Sequence, residues 1–254
     1  MGKTNRAPIK YVQAYGWIPD RPDHRDYLYS AIAPKVKLPL KVDLRAQCSP
    51  IENQGRLGSC TANALAGNLQ FLEEVSGQTY QDLSRLFIYY NERAVEGTVG
   101  SDSGAMIRDG IKVLAKYGVC PESSWPYDIS RFTRKPSAAC YKQALKRHIS
   151  SYHRLQTLNE MLNCLAEGFP FVFGFTVYES FESLKVAQTG LVPMPKKSER
   201  ALGGHAVMAA GYDQKQKRFI VRNSWGPQWG QAGYFTMPYA YLETLADDFW
   251  TIRQ

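Results

Sequence analysis

Four residues of this 254-residue chain have the types and settings that acyl-transfer chemistry needs: Cys60, His205, Asn223 and Gln54. Cys60 follows the loop Asn53-Gln54-Gly55-Arg56-Leu57-Gly58-Ser59, whose two glycines permit a tight turn. It opens a run in which Ala62, Leu65, Ala66, Leu69, Leu72 and Val75 recur at three- and four-residue spacing until Gly77. This predicts a buried helix with Cys60 at its N-terminus, where the helix dipole favours thiolate over thiol. The thiolate is the attacking species in thiol chemistry. Gln54, six residues upstream, can return to supply a donor to the oxygen that turns negative in a tetrahedral intermediate, with the Cys60 N–H as the second donor.

A base should be a histidine, and His24, His148 and His153 lie among charged or hydroxyl residues and read as surface. His205 instead opens an apolar strand behind Gly203 and Gly204. Asn223 closes another strand-like run, and its amide oxygen can fix the tautomer and plane of an imidazole without adding negative charge. Trp225 is placed to cover that hydrogen bond. Taken singly, each residue also fits an ordinary role as loop glutamine, edge histidine, turn asparagine or core tryptophan; it is their combination that points to chemistry.

The elements that must position these residues follow from periodicity. Helical patterns cover about 83 to 95, about 104 to 117 up to Gly118, and about 157 to 166. Strand-like runs cover 171 to 177, 205 to 212, 218 to 223 and 233 to 237. Helices followed by strands predict an α+β fold rather than a wound parallel sheet. Residues 1 to 37, punctuated by Pro8, Pro19, Pro22 and Pro34, read as an extended leader.

Hydrophobic residues make up 44% and charged residues 21%, so an ordered, water-soluble body is expected and disorder is not. The apolar stretches, such as 169 to 177, fall short of the roughly 20 residues a membrane-spanning helix needs. No signal peptide is visible, and Arg6 stands where a myristoylation pattern wants Ser or Thr, so the compartment stays open. The net charge of +8 is spread over clusters such as Arg131, Arg134 and Lys135 that read as solvated surface, and no basic stripe interleaved with aromatics argues for nucleic acid. Neither nucleic-acid nor membrane partners are expected. Five cysteines, at 48, 60, 120, 140 and 164, leave at least one free thiol in a monomer, with Cys120 and Cys140 open as a candidate pair. No CxxC or Cys/His spacing suits zinc, and neither a metal nor an organic cofactor is called for.

Three motifs occur in order: Gln54-Gly55 leading to Gly58-Ser59-Cys60, then Gly204-His205-Ala206 with Gly211-Tyr212 behind it, then Asn223-Ser224-Trp225-Gly226 with Trp229-Gly230 and Gly233-Tyr234. Together they resemble the papain and cathepsin family of cysteine peptidases. His205 lies 145 residues beyond Cys60 and Asn223 163 beyond it, against about 130 to 150 in that family. The resemblance runs from about Leu38 to the C-terminus and includes Val42-Asp43-Leu44-Arg45, Tyr117-Gly118-Val119 and Trp125-Pro126-Tyr127.

The resemblance implies a papain-like two-lobed fold. A mainly helical lobe over 38–148 would carry the nucleophile, and an antiparallel, β-barrel-like lobe over 149–254 would carry His205 and Asn223, with the active site in the cleft between them. Ser103-Gly104 is similar to the family's glycine pair whose backbone pairs with substrate. Ala105, Met106, Gly174 and Gly203, beside Gly204 and Trp225, would surround the substrate, and the small residues imply a roomy apolar pocket for the second residue before the cut. Residues 1–37 would act as a pro-segment or cleft-covering arm anchored by Tyr11, Tyr15, Trp17 and Tyr27. Leu57 and Thr61 stand where the family usually has a cysteine and a tryptophan, so the disulfide that anchors the nucleophile loop is absent. The implied activity is that of a monomeric endopeptidase zymogen acting on polypeptides. The alternatives are a related thiol acyl transferase (deamidase, ligase or isopeptidase) and a catalytically silent binding module.

Overall fold

A computed structural model describes residues 15–34 and 36–254. Its helices are α1 (Cys60–Val75), α2 (Arg85–Glu96), α3 (Ile107–Lys116), α4 (Ala138–Ala144), α5 (Leu158–Ala166), α6 (Leu184–Thr189) and α7 (Tyr239–Leu245). Its strands are β1 (Lys41–Asp43), β2 (Ser151–Leu155), β3 (Phe171–Tyr178), β4 (Ala201–Asp213), β5 (Arg218–Arg222), β6 (Tyr234–Pro238) and β7 (Ala246–Arg253). Local chemistry sets several boundaries. Ser84, Thr157 and Ser183 accept backbone N–H groups at the starts of α2, α5 and α6, and Gly97 ends α2 in the left-handed conformation.

The strands form one antiparallel sheet in the order β2-β7-β3-β4-β5-β6, with β1 pairing the far end of β4. It is open rather than closed into the expected barrel-like ring, because β2 and β6 each pair with one other strand only. Alternation along the strands gives the sheet two apolar faces. Phe171, Phe173 and Phe175 of β3, with Val207 and Ala209 of β4, face a core that includes α5 and α7. Val172, Ala206, Met208 and Ala210 face the other way, into a core shared with α1, α2 and α3. The second core contains the whole start of α1 and so sets where Cys60 meets the sheet.

The α+β expectation agrees with this architecture, and the periodic runs correspond to α1, α2, α3, α5, β3, β4, β5 and β6. The C-terminal strand β7 is absent from that reading although it lies between β2 and β3. Its alternation is broken by Asp247 and Asp248. Three residues of β3 (Val172 to Gly174) face four of β7 (Trp250 back to Asp247), and Asp248 takes a left-handed φ of 57°, which is a β-bulge. His148 and His153, read as surface, are half-buried; His148 Nδ1 lies 3.0 Å from the Ala115 carbonyl. All five thiols are free, and Cys120 and Cys140 are neighbours without a disulfide. Among the described residues no helix is long and apolar enough to cross a membrane.

One buried cation ties the sheet to the nucleophile segment. Arg222, at the end of β5, donates from Nη2 to the Pro50 carbonyl at 2.6 Å and to Ser49 Oγ at 3.0 Å, and from Nη1 to the Ser49 carbonyl. It crosses α1 at Gly67, where a Cβ would stand 3.1 Å from its Nε. Removing the guanidinium strips three charge-assisted bonds from the Ser49 and Pro50 segment and leaves a gap beside Gly67, so Arg222→Ala should cost about 1 to 3 kcal/mol of stability in chemical denaturation.

Candidate active site

Cys60 is the first residue of α1 and is fully buried. Ser59 turns its hydroxyl to Tyr127 instead of capping the helix. Tyr127 also donates to the Gln54 carbonyl at 3.0 Å. The loop before the helix is held by Asp102, whose two carboxylate oxygens each accept the Gly58 N–H at 3.0 Å. The Tyr89 hydroxyl bonds to the same carboxylate and accepts the Gly104 N–H at 3.1 Å, which joins the nucleophile loop to the facing wall of the cleft. Thr61 donates to the buried Glu92 carboxyl at 2.9 Å. Sequence reasoning missed Asp102 and Tyr89, because neither sits in a motif.

Across the cleft, His205 lies on β4 opposite Phe175 of β3 and is also fully buried. Its Nε2 is 2.8 Å from Asn223 Oδ1. Its Nδ1 has no hydrogen-bond partner among the described residues. Trp225 lies over the imidazole with ring centroids 5.0 Å apart, and Phe175 meets its edge at 5.7 Å, so water is kept from the His205–Asn223 bond. Ser224 connects the two halves of the site. Its hydroxyl donates to Gln54 Oε1 at 2.6 Å, its carbonyl accepts the Gln54 N–H at 2.9 Å, and its own N–H donates to Asn223 Oδ1 at 2.9 Å. These bonds fix which way the Gln54 amide faces, with Nε2 donating to the Leu57 carbonyl at 3.0 Å. Only its place in the Asn-Ser-Trp-Gly motif hinted at Ser224.

The cleft is occupied by the chain's own leader. Ala105 donates to the Gly16 carbonyl at 2.7 Å and accepts the Ile18 N–H at 3.0 Å, while the Trp17 N–H donates to the Gly204 carbonyl at 2.9 Å. The segment is thus a strand hydrogen-bonded to both walls, and it runs parallel to the Ala105 segment. Gly16 passes over the nucleophile loop so closely that a Cβ on it would lie 1.8 Å from the Gly58 carbonyl oxygen. On the opposite wall, Gly104 adopts a φ of +73°, and a Cβ there would lie 2.2 Å from the Gly16 oxygen. Added Cβ atoms at Gly174 and Gly204 would strike the Trp17 indole, at 2.0 and 2.7 Å. Tyr15 packs on Gly203, faces Trp225 and bonds to Glu182.

The residues named for substrate contact therefore divide. Gly174, Gly203, Gly204, Ala105 and Trp225 meet the leader. Ala105, not Gly104, makes the backbone pair, since the Gly104 N–H is taken by Tyr89. Ser103 bonds to Thr98 at 2.9 Å, and Met106 turns its N–H to Glu96 at 2.7 Å. Of the leader's expected aromatic anchors, Tyr15 and Trp17 sit in the cleft and Tyr11 lies outside the described residues. Tyr27 is 64% exposed and packs on Tyr152 instead. The buried anchor on that side is Tyr29, bonded to Glu167.

Comparison with known proteins agrees with this geometry. A model of the papain family of cysteine proteases matches residues 38–244. A peptidase C1-like protein of Acanthamoeba polyphaga mimivirus, itself uncharacterized, is 44% identical over 94% of this chain and 86% of its own length. The chain belongs to the papain family of cysteine peptidases. Within this family, xylellain, a cysteine protease from Xylella fastidiosa, superposes with a TM-score of 0.87 at 46% identity, covering 96% of this chain and 97% of that one. Digestive procathepsin L 3 of Tenebrio molitor shares the papain-like fold, with a TM-score of 0.71 at 19% identity over 96% of this chain and 77% of that one.

With the leader in place, electrostatics work against an ion pair in this papain-family site. Burial pushes the Cys60 thiol up to about 12, although hydrogen bonds from the backbone at Ala206 and Gly16 partly oppose the rise. Burial pushes His205 down to about 4, with its bond to Asn223 opposing. Both shifts favour neutral groups, so between these two values thiol and imidazole are uncharged. Iodoacetamide labelling of Cys60 in the full chain should therefore be slow at pH 6 and climb about tenfold per pH unit toward pH 9, because only the scarce thiolate reacts. It should rise about tenfold or more once the leader is displaced, as peptide mapping by mass spectrometry would show.

Proposed function

We propose that the protein is a cysteine endopeptidase made as a self-covered zymogen. The reading rests above all on the leader's passage as an extended strand across Cys60 with hydrogen bonds to both walls, the posture a polypeptide substrate would need. Chain continues on both sides of the nucleophile, which favours cleavage within a polypeptide. In this reading 1–37 is the covering arm, 38–148 carries the nucleophile and 149–254 carries the base. All the required groups lie in one chain, so a monomer suffices.

Once the cleft opens, water reaches Cys60 and His205, and a thiolate–imidazolium pair can form at the start of α1, where no side-chain cap competes for the helix dipole. The thiolate attacks the substrate carbonyl carbon, and the oxyanion is met by the Cys60 N–H and Gln54. His205 passes its proton to the leaving amine, giving a thioester. It then takes a proton from the water that hydrolyses that thioester. Asn223 holds the ring plane, Trp225 keeps the bond dry, and Ser224 positions Gln54. The pocket at Gly174 and Gly204, filled here by Trp17, supports an apolar second residue before the cut.

A fluorogenic peptide with Phe or Leu two residues before the cut tests this reading. Cys60→Ala should abolish turnover, while Gln54→Ala and Asn223→Ala should each lower kcat by about 10²-fold. Gly16→Ala cannot be accommodated beside Gly58 and should raise activity about tenfold or more by lifting the leader. Unchanged activity with a lower melting temperature would make the leader a stabilising arm only.

A further inference from the structure

The bulge in β7 gives Asp248 an unusual setting. A non-glycine residue in the left-handed region carries backbone strain, and a bulge re-aims the side chain it carries. Here the side chain is 1% exposed and points at the Trp17 pocket. Its Oδ2 accepts the Trp17 indole N–H at 3.0 Å and the Asp20 backbone N–H at 2.7 Å. Its Oδ1 accepts Arg154 Nη2 at 3.0 Å. Both partners of Oδ2 belong to the leader, whereas Arg154 belongs to β2. When the leader leaves, Oδ1 keeps its partner and Oδ2 loses both of its own.

That would leave a carboxylate oxygen at the end of a slot whose sides, at Gly174 and Gly204, carry no side chains. We infer that Asp248 is a specificity-determining residue that makes this pocket prefer tryptophan, an apolar ring ending in an N–H donor, over phenylalanine or leucine as the second residue before the cut. The inference rests on the peptidase reading and refines its apolar preference. A site built to bond a donor discriminates against analogues without one, because the buried acceptor then stays unpaired. Burial and the nearby Asp20 carboxyl push Asp248 up to about 7 with the leader docked, a sign of how poorly solvated the group is. A neutral donor is favoured over an arginine because Arg154, which also pairs with Asp247, already occupies the other oxygen, and Arg108 loses its Asp26 partner when the leader leaves, so Asp248 and Asp247 are already matched by two cations.

The test uses the full chain carrying Gly16→Ala and Trp17→Ala, so that the leader's indole is out of the pocket. Peptides identical except for Trp, Phe, Leu or Arg at the second position before the cut are compared by kcat/KM. Their binding to the same protein with Cys60→Ala is followed by fluorescence polarisation. Tryptophan should lead phenylalanine by about tenfold. Asp248→Gly, which suits the left-handed backbone, should bring the ratio near one, and so should Asp248→Asn, whose one acceptor oxygen goes to Arg154 and whose NH2 then faces the slot. Phe, Leu or Arg ahead of Trp in the parent protein would overturn the inference while leaving the peptidase reading intact. Binding that ranks tryptophan first with no cleavage of any peptide would sustain the pocket and overturn the peptidase reading. No preference in either assay would overturn the pocket whatever the variants do.

Discussion

Helix α1 and strand β4 start 141 residues apart in the chain, and their packing brings a thiol and an imidazole together in a dry place. Ala62, Leu65, Ala66 and Leu69 of the helix share one core with Ala206, Met208 and Ala210 of the strand. Burial this complete puts a premium on giving the polar groups at the junction partners. Thr61 bonds to Glu92, Asn63 to the Ser59 carbonyl at 2.9 Å, and Gln54 to Ser224. The rigidity of the site comes from this polar accounting as much as from the apolar contact. It also explains why Cys60 and His205 are neutral when covered: the environment that orders them opposes their charges.

The leader makes use of the features that would serve a substrate. A wall without side chains at Gly104, Gly174 and Gly204 admits a polypeptide at van der Waals distance, and the leader fills that space with a backbone of its own and one indole. Because it is tethered, its effective concentration at the cleft is high, and modest contacts suffice to keep it there. Its hold is reinforced away from the cleft. Asp20 accepts the Trp250 indole N–H at 2.8 Å, and Asp26 pairs with Arg108 at 2.6 Å and Arg154 at 3.2 Å.

The features legible in the sequence were those written locally. The apolar period of α1, the glycines before Cys60 and His205, and the clean runs of β3 to β6 all declare themselves within a dozen residues. So does the Asn-Ser-Trp-Gly motif, whose members are brought beside His205. What escaped depends on partners far along the chain. Asp102 acts on Gly58 across 44 positions, Ser224 on Gln54 across 170 and Asp248 on Trp17 across 231. Strand β7 escaped because two aspartates and a bulge interrupt its alternation. In the leader, aromatic character alone did not separate Tyr27, left on the surface, from Tyr29, which is buried. That difference is decided by whether Glu167 and the core around it stand within reach.

The Asp102 clamp has a practical side. The nucleophile loop is secured by a carboxylate, a backbone amide and a phenol, and all five cysteines carry free thiols. A reductant strong enough to rescue an oxidised Cys60 therefore finds no structural bridge to break. The architecture of the loop is decoupled from the redox state of its surroundings.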